Sequence, residues 1–226
     1  MPTIDYANKE ISCKIVYYGP GLCGKTTNLQ LIHRDVPGIN KTNLVSLATE
    51  KDRTLFFDFL PVTLGEIKGF KIRFQLYTVP GQVYYNATRK LVLSGVDGIV
   101  YVVDSQRSKL QENLDMMQNL RENLAEYRMD LATIPMVLQY NKRDLPGIVP
   151  VEELQRAMNP RGLPWFEAVA VQGIGVKETL KAIATLTLSR IGKRTQAAPR
   201  DGAAAGPSNA TDTGQPKRSI FRKTNP

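Results

Sequence analysis

The chain has 226 residues, 42% of them apolar, enough to bury one substantial core, and no apolar run reaches the length of a membrane span. Its net charge is +9, but seven basic and two acidic residues in 193–226 account for +5, which leaves only +4 on residues 1–192. This modest charge excludes a globally basic nucleic-acid binder. A cytoplasmic protein is predicted, because the two cysteines lack metal-ligand spacing and the sequence shows no signal-peptide pattern.

Apolar runs alternate with amphipathic stretches along the chain, which predicts alternating strands and helices. In chain order the predicted elements are a strand at 11–18, a helix at 25–34, strands at 55–60 and 70–78 joined through Pro61 and a turn at 65–69, a strand at 98–103, a helix at 108–127, a strand at 134–140, a helix near 151–158, a short strand at 165–170 and a helix at 176–191. This order predicts an α/β fold with a mostly parallel six-stranded sheet, one antiparallel edge and helices on both faces.

The composition changes after Gly192, where Ala, Gly, Pro, Ser and Thr dominate. Such a segment buries too little apolar surface to offset its ordering entropy. We therefore predict a folded domain over 1–192 and a disordered basic tail over 193–226. Four basic residues surround Ile220 and Phe221 in this tail. The tail could contact anionic lipid weakly and reversibly, or it could stay in solution, and the sequence leaves both alternatives open.

A phosphate-binding motif follows the first predicted strand. The sequence GPGLCGKT at 19–26 matches G-x-x-x-x-G-K-[ST] in the required strand–loop–helix context. Glycines let backbone N–H groups surround phosphate oxygens, Lys25 supplies a cation for the β- and γ-phosphates, and Thr26 offers a hydroxyl to Mg²⁺. The residues predicted to bind phosphate are Gly19, Gly21, Leu22, Cys23, Gly24, Lys25, Thr26 and Thr27. Cys23 fits a small loop filler better than a redox site.

A second motif, Asn141-Lys142-Arg143-Asp144, follows the strand predicted at 134–140. The Asp144 carboxylate can accept both N1–H and N2–H₂ of guanine, a donor pair that adenine does not present. Asn141 can bond the other edge of the base, and the stem of Lys142 can cover its face. Ala170, at the end of the last predicted strand, is a candidate for a backbone N–H donor to guanine O6, although a buried strand end looks the same.

A third stretch, LYTVPGQ at 76–82, ends a strand where a nucleotide hydrolase usually has aspartate followed by x-x-Gly. Thr78 stands in the place of that aspartate. The later Gly81 permits a backbone N–H to approach a γ-phosphate closely. Gln82 stands where a glutamine can orient an attacking water, unless it is merely a solvated loop residue.

These three motifs, in this order, resemble those of Ras-like small GTPases with a P-loop G domain. The stretches IVYYGPGLCGKTTNL, SLATEKDRTLFFDFLP, LYTVPGQVYYNATRKL and QYNKRDLP resemble the bacterial MglA (mutual gliding-motility protein A) subfamily, over roughly residues 3–191. In that subfamily threonine in place of the aspartate is a normal feature. The resemblance implies GTP and GDP as ligands, Mg²⁺ as the metal, and switch segments near 40–56 and 79–90.

The resemblance also assigns roles near the metal. Thr26 and Thr54 would be the direct Mg²⁺ ligands. Because Thr78 carries no charge, we expect Mg²⁺ dependence to be retained with a weaker metal affinity. Asp58 is an alternative carboxylate, or simply a strand residue.

Three residues are the catalytic candidates: Lys25, Gln82 and Arg53. By resemblance Arg53 is an intrinsic arginine finger that stabilises charge on the transferred phosphoryl group. The alternative is an exposed arginine in a switch loop. Since these groups are present, we expect the switch to work, slowly.

By resemblance, a roadblock/LC7-type protein would bind the switches as a homodimer and accelerate GTP hydrolysis. The resemblance also implies effectors that act in cell polarity and surface motility. It further implies that the protein is recruited from the cytoplasm to a cell pole. One alternative is a GTP-binding module that signals by occupancy without hydrolysis. A P-loop kinase is a second, but it needs an arginine-rich lid and an acceptor pocket that the sequence does not suggest.

Overall fold

Eight strands and five α-helices make up the part of the chain that the computed structural model describes, residues 2–35, 44–48 and 54–197. The strands are β1 (Thr3–Asp5), β2 (Glu10–Tyr18), β3 (Val45–Ala48), β4 (Thr54–Ile67), β5 (Phe70–Thr78), β6 (Gly98–Asp104), β7 (Met136–Asn141) and β8 (Trp165–Glu167). The helices are α1 (Lys25–Asp35), α2 (Asn86–Leu93), α3 (Leu110–Glu126), α4 (Val151–Met158) and α5 (Val176–Ala197).

The described strands form one sheet in the order β3-β4-β5-β2-β6-β7-β8, and β1 pairs with β2. Strands β5, β2, β6, β7 and β8 are parallel to one another, while β3 and β4 are antiparallel to their neighbours. This confirms the predicted mostly parallel sheet with an antiparallel edge. The predicted count of six strands was wrong, because β1 and β3 contain only three and four residues and are too short to show a period in the sequence.

Strand β4 is longer than predicted. The sequence suggested that Pro61 ends a strand, but β4 continues through Pro61 to Ile67. Proline lacks the N–H that a central strand must donate, and it is tolerated where one side of a strand is unpaired. Here β3 pairs with β4 only as far as Phe59, so Pro61 has β5 as its sheet neighbour.

Helices cover both faces of the sheet. Alternate residues of β6 show this, because Val100 and Val102 belong to the core shared with α1 and α5, and Tyr101 and Val103 to the core shared with α2, α3 and α4. All seven residues of β6 are buried, as expected of a central parallel strand. None of the helices described in the structure combines the length and the apolar character that crossing a bilayer requires.

The parallel strands end at one edge of the sheet, and every predicted motif in the described residues lies there. Ligands of open α/β sheets bind at the carboxyl ends of the strands. At the other end of the domain, α5 continues to Ala197 instead of ending at 191, so the first residues of the predicted tail are helical. The division into a domain and a disordered tail otherwise stays a prediction, since 198–226 lie outside the described residues.

Candidate functional site

The loop at 19–24 connects β2 to α1 and packs tightly against the ends of β6 and β7. A Cβ on Gly19 would lie 2.2 Å from the Val102 carbonyl oxygen, and one on Gly24 would lie 2.2 Å from Nδ2 of Asn141. Both glycines also have positive φ angles of 145° and 103°. Side chains are thus excluded on steric grounds, and the backbone of the loop can curl as a phosphate cradle requires.

Lys25, the first residue of α1, points its ammonium group into this loop. Its Nζ donates to the carbonyl oxygens of Gly19 at 2.9 Å and Pro20 at 2.5 Å, and the residue is only 6% exposed. A nearly buried cation beside a helix N-terminus is an arrangement suited to binding phosphate. By contrast, the Leu22 side chain is 64% exposed, so this residue can serve the loop only through its backbone.

Cys23 lies inside the loop, fully buried, and its Sγ accepts a hydrogen bond from Lys25 at 3.6 Å. Burial raises the pKa of the Cys23 thiol, and burial likewise raises the pKa of Cys13, from 9.0 to about 12. The thiolate is the reactive form of cysteine, and both thiols are therefore held in their inert form. This supports a packing role for Cys23.

We expect both thiols to resist modification in the folded chain. A rise of the Cys13 pKa from 9.0 to about 12 lowers its thiolate fraction at neutral pH by about a thousandfold. Timed labelling with a chromogenic disulfide reagent at pH 7.5 should therefore be slow in the native state and rapid for two thiols in guanidinium. Rapid labelling of either thiol in the native chain would contradict this expectation.

On the metal side of the loop, Asp58 of β4 meets both threonines of interest. Asp58 is fully buried, and its Oδ2 accepts hydrogen bonds from Thr26 Oγ1 at 2.6 Å and Thr78 Oγ1 at 2.7 Å. The Asp58 N–H in turn donates to Thr78 Oγ1 at 2.9 Å. Position 78 lacks the aspartate that is usual there, but the neighbouring strand β4 supplies a buried carboxylate, Asp58, beside it.

These residues fit a magnesium ion. The Thr26 hydroxyl gives its proton to Asp58, and this bond orients the Thr26 oxygen, the atom that a cation would contact. Mg²⁺ is usually held by few protein oxygens together with substrate phosphates, so no cage of acidic side chains is required. Thr54, the other predicted ligand, begins β4, but its side chain is outside the described part of the structure, and Arg53 lies outside the described residues altogether.

The segment after β5 lies directly against the phosphate loop. A Cβ on Gly81 would be 2.3 Å from the Gly21 nitrogen, so only glycine fits this close approach of two backbones. Gln82 follows at the wall of a cavity of about 1010 Å³ that extends from the phosphate loop, past Thr26 and Thr27, to helix α3. The predicted γ-phosphate contact therefore lies against the loop that Lys25 bonds, and the predicted water-orienting residue lines the same cavity as Lys25.

On the base side, Asn141 braces the loop. Its Nδ2 donates to the Cys23 carbonyl at 2.7 Å, and its Oδ1 accepts from the Ala170 N–H at 2.9 Å. Asn141 and Ala170 thus bond each other here, and their direct contacts to a base stay predictions. Asp144 is exposed at the same edge, where its carboxylate can meet a ligand.

Lys142 is fixed by a residue that the sequence analysis missed. Its Nζ donates to Oδ2 of Asp104 at 2.7 Å, and Asp104 ends β6 with 1% exposure. This ion pair fixes the Lys142 side chain at the edge of the sheet where the base site is predicted. A carboxylate that ends a fully apolar strand, at the edge where ligands bind, is a signal that could have identified it.

A second missed group is Arg89 of α2, which donates to the backbone of the segment carrying Gly81 and Gln82. No helix is predicted there from the sequence, because α2 covers only eight residues, too few to show a period.

Comparison with known proteins agrees with this geometry. A sequence model of the Ras family matches residues 14–189. The mutual gliding-motility protein MglA of Myxococcus xanthus (strain DK1622) is 60% identical over 193 residues, covering 85% of this chain and 99% of the relative. The Ras-related protein Rab-7b of Homo sapiens is 28% identical over 175 residues, covering 74% of this chain and 85% of Rab-7b. The chain therefore belongs to the Ras family of GTPases and, within it, to the MglA subfamily.

Proposed function

We propose that this GTPase is a GTP/GDP switch that hydrolyses GTP slowly with Mg²⁺ and is accelerated by a roadblock-type partner. The observation that carries the proposal is the position of Gly81 directly against the phosphate loop, with Gln82 next to it lining the same cavity. A γ-phosphate bound at Lys25 would meet the Gly81 N–H, and its loss would release the segment. Order and disorder of such segments is a common switching device.

Hydrolysis requires few parts, because phosphoryl transfer depends mainly on positioning and on stabilisation of charge. Lys25 supplies positive charge at the phosphates, and Gln82 orients water. Bound Mg²⁺ would neutralise phosphate charge, with Thr26 and Thr54 as its protein ligands and Asp58 holding the Thr26 hydroxyl. Arg53 is proposed as an arginine finger that would stabilise charge on the transferred phosphoryl group. The alternative role is an exposed arginine in a switch loop. The presence of Lys25, Thr26 and Gln82 argues against a non-hydrolysing module.

Guanine selectivity is tested at Asp144. We expect Asp144→Asn to weaken GDP binding by about tenfold or more, because hydrogen bonds to a charged acceptor are among the stronger ones. Competition of GTP, GDP and ATP against a fluorescent GDP measures the effect, and ATP should not compete in the wild type. The control is Glu152→Gln, which neutralises an exposed carboxylate outside the Asn141–Asp144 motif. ATP competing as well as GTP would favour the kinase alternative.

The proposed activator is a roadblock/LC7-type homodimer that binds the switch segments. Membership of the MglA subfamily supports this, and so does Tyr84, which is 93% exposed two residues after Gln82 and offers an aromatic anchor to a partner. Calorimetry should show the homodimer binding the chain loaded with a GTP analogue and not with GDP. Equal binding to both forms would contradict a switch-reading activator.

We further propose a role in cell polarity and gliding motility, as the name of the Myxococcus relative suggests. The protein would be cytoplasmic, reach a cell pole through effectors, and bind no nucleic acid. Its basic tail would contribute weak membrane contact at most. Expression in a Myxococcus strain that lacks the relative should restore gliding, and a Lys25→Ala variant should not. If the wild-type chain hydrolyses GTP but does not restore gliding, the two proteins share a GTPase activity and not a role in motility.

A further inference from the structure

We propose that Arg89 is a positioning residue that anchors the segment carrying Gly81 and Gln82 to helix α3, and thereby sets the rate of hydrolysis. The inference rests on the proposed function for its catalytic readout. It concerns a residue that lies outside the three sequence motifs but bonds the backbone of the third, on a helix that no motif identifies. Its basis is a set of buried and part-buried hydrogen bonds that joins α2, α3 and β2 to this one segment.

The guanidinium of Arg89 reaches both sides of Gly81. Its Nη1 donates to the Gln82 carbonyl at 2.5 Å and to the Pro80 carbonyl at 3.3 Å. Its Nε donates to Oδ1 of Asn119, on α3, at 2.9 Å. With 2% exposure, Arg89 makes these bonds away from solvent, where competition from water is weak.

The anchor on α3 is itself fixed. Oδ1 of Asn119 also accepts from the Tyr18 hydroxyl at 2.7 Å, at the end of β2. Nδ2 of Asn119 donates to Oδ1 of Asn86 at 3.0 Å, and Nδ2 of Asn123 donates to the same oxygen at 2.9 Å. Each amide orientation is thus set by a neighbour, and the network holds Arg89 in one place relative to the central sheet.

This geometry requires arginine. The planar guanidinium presents several donors in fixed directions and can bond two carbonyls and an amide at once, whereas lysine is a single flexible point charge. Both bonded carbonyls belong to residues adjacent to Gly81. A change at Arg89 should therefore alter the path of Gly81 and Gln82 while the phosphate loop and the base site stay intact.

A positioning role predicts a specific kinetic pattern. The Arg89→Gln variant should retain its affinity for GDP within about twofold but lose about tenfold or more in single-turnover GTP hydrolysis, because misplacing a reacting group costs rate and not ground-state binding. Arg89→Lys should be intermediate. The matched control is Arg121→Gln, which removes an exposed arginine from α3. Circular dichroism and thermal melting verify folding.

Four outcomes decide the proposal. Wild-type hydrolysis in folded Arg89→Gln overturns it, and so does a parallel loss of GDP affinity and rate, which indicates a merely structural role. If Arg89→Gln does not fold, Asn119→Ala replaces it, and an unchanged rate in that variant overturns the anchor. If the wild type itself never hydrolyses GTP, the proposed function fails, and the affinity ratio for a GTP analogue over GDP then tests the anchor, with a lower ratio expected in Arg89→Gln.

Discussion

Asp58→Asn is expected to weaken Mg²⁺ binding by about 10- to 100-fold, the usual cost of removing a group that orients a metal ligand. Asparagine preserves the shape of Asp58 but removes the charge that accepts hydrogen bonds from Thr26 and Thr78. The Thr26 hydroxyl then loses its fixed orientation toward the metal. Titration of Mg²⁺ into the metal-stripped, GDP-loaded chain measures the affinity.

Thr78→Val is the matched control for this experiment. Valine has the shape of threonine, and the change removes one hydroxyl beside Asp58 while leaving the Thr26 bond in place. We expect it to reduce stability more than Mg²⁺ affinity, because it leaves a buried carboxylate with one bond fewer. If Asp58→Asn binds Mg²⁺ as tightly as the wild type, Asp58 does not replace the missing aspartate and is simply a strand residue.

Gln82→Leu is expected to slow single-turnover GTP hydrolysis by roughly 10²-fold, because the attacking water loses the group that orients it. The affinities for GTP and GDP should stay within a factor of about two, since the side chain lines the cavity without supporting the phosphate loop. Rapid mixing of GTP-loaded protein with Mg²⁺, followed by phosphate detection, gives the rate.

Gln118 offers a control of the same chemistry. It lies on α3, lines the same cavity and bonds Glu122. Gln118→Leu should hydrolyse GTP at the wild-type rate. If Gln82→Leu and the wild type hydrolyse GTP at equal rates, Gln82 is a solvated loop residue. The attacking water would then be oriented by another group of this chain or by the partner.

The phosphate loop could be predicted from sequence because its chemistry is local. Gly19, Gly24 and Lys25 are close in the chain, and the apolar run before them indicates a strand. Asn141 and Asp144 could be placed at the same edge because parallel strands end together. Each motif carries its own spacing, so no long-range contact had to be known.

The carboxylate at the metal side depends on strand register, which the sequence did not show. Phe59 pairs with Tyr77 in the antiparallel β4–β5 ladder, and this places Asp58 opposite Thr78. The first of these strands was predicted to end at Pro61, and the pattern of the sequence does not fix the register. From sequence alone, Asp58 could therefore be either an alternative carboxylate near the metal or simply a strand residue.

The Arg89 network was out of reach for a related reason. The helix pattern at 108–127 identifies the apolar face of α3, but the half-buried Asn119 and the buried Asn123 lie among those positions and look like ordinary polar residues. Their partners, Tyr18 and Asn86, are more than thirty residues away in sequence. Polar networks leave no period in the chain.

Single-turnover hydrolysis of GTP by the purified chain with Mg²⁺, alone and with a roadblock-type homodimer, tests the central claim most directly. A working switch in which Asp58 compensates for Thr78 predicts slow cleavage alone and a large acceleration by the homodimer. GTP that stays bound and uncleaved under both conditions would contradict the claim and would mean that the protein signals by nucleotide occupancy.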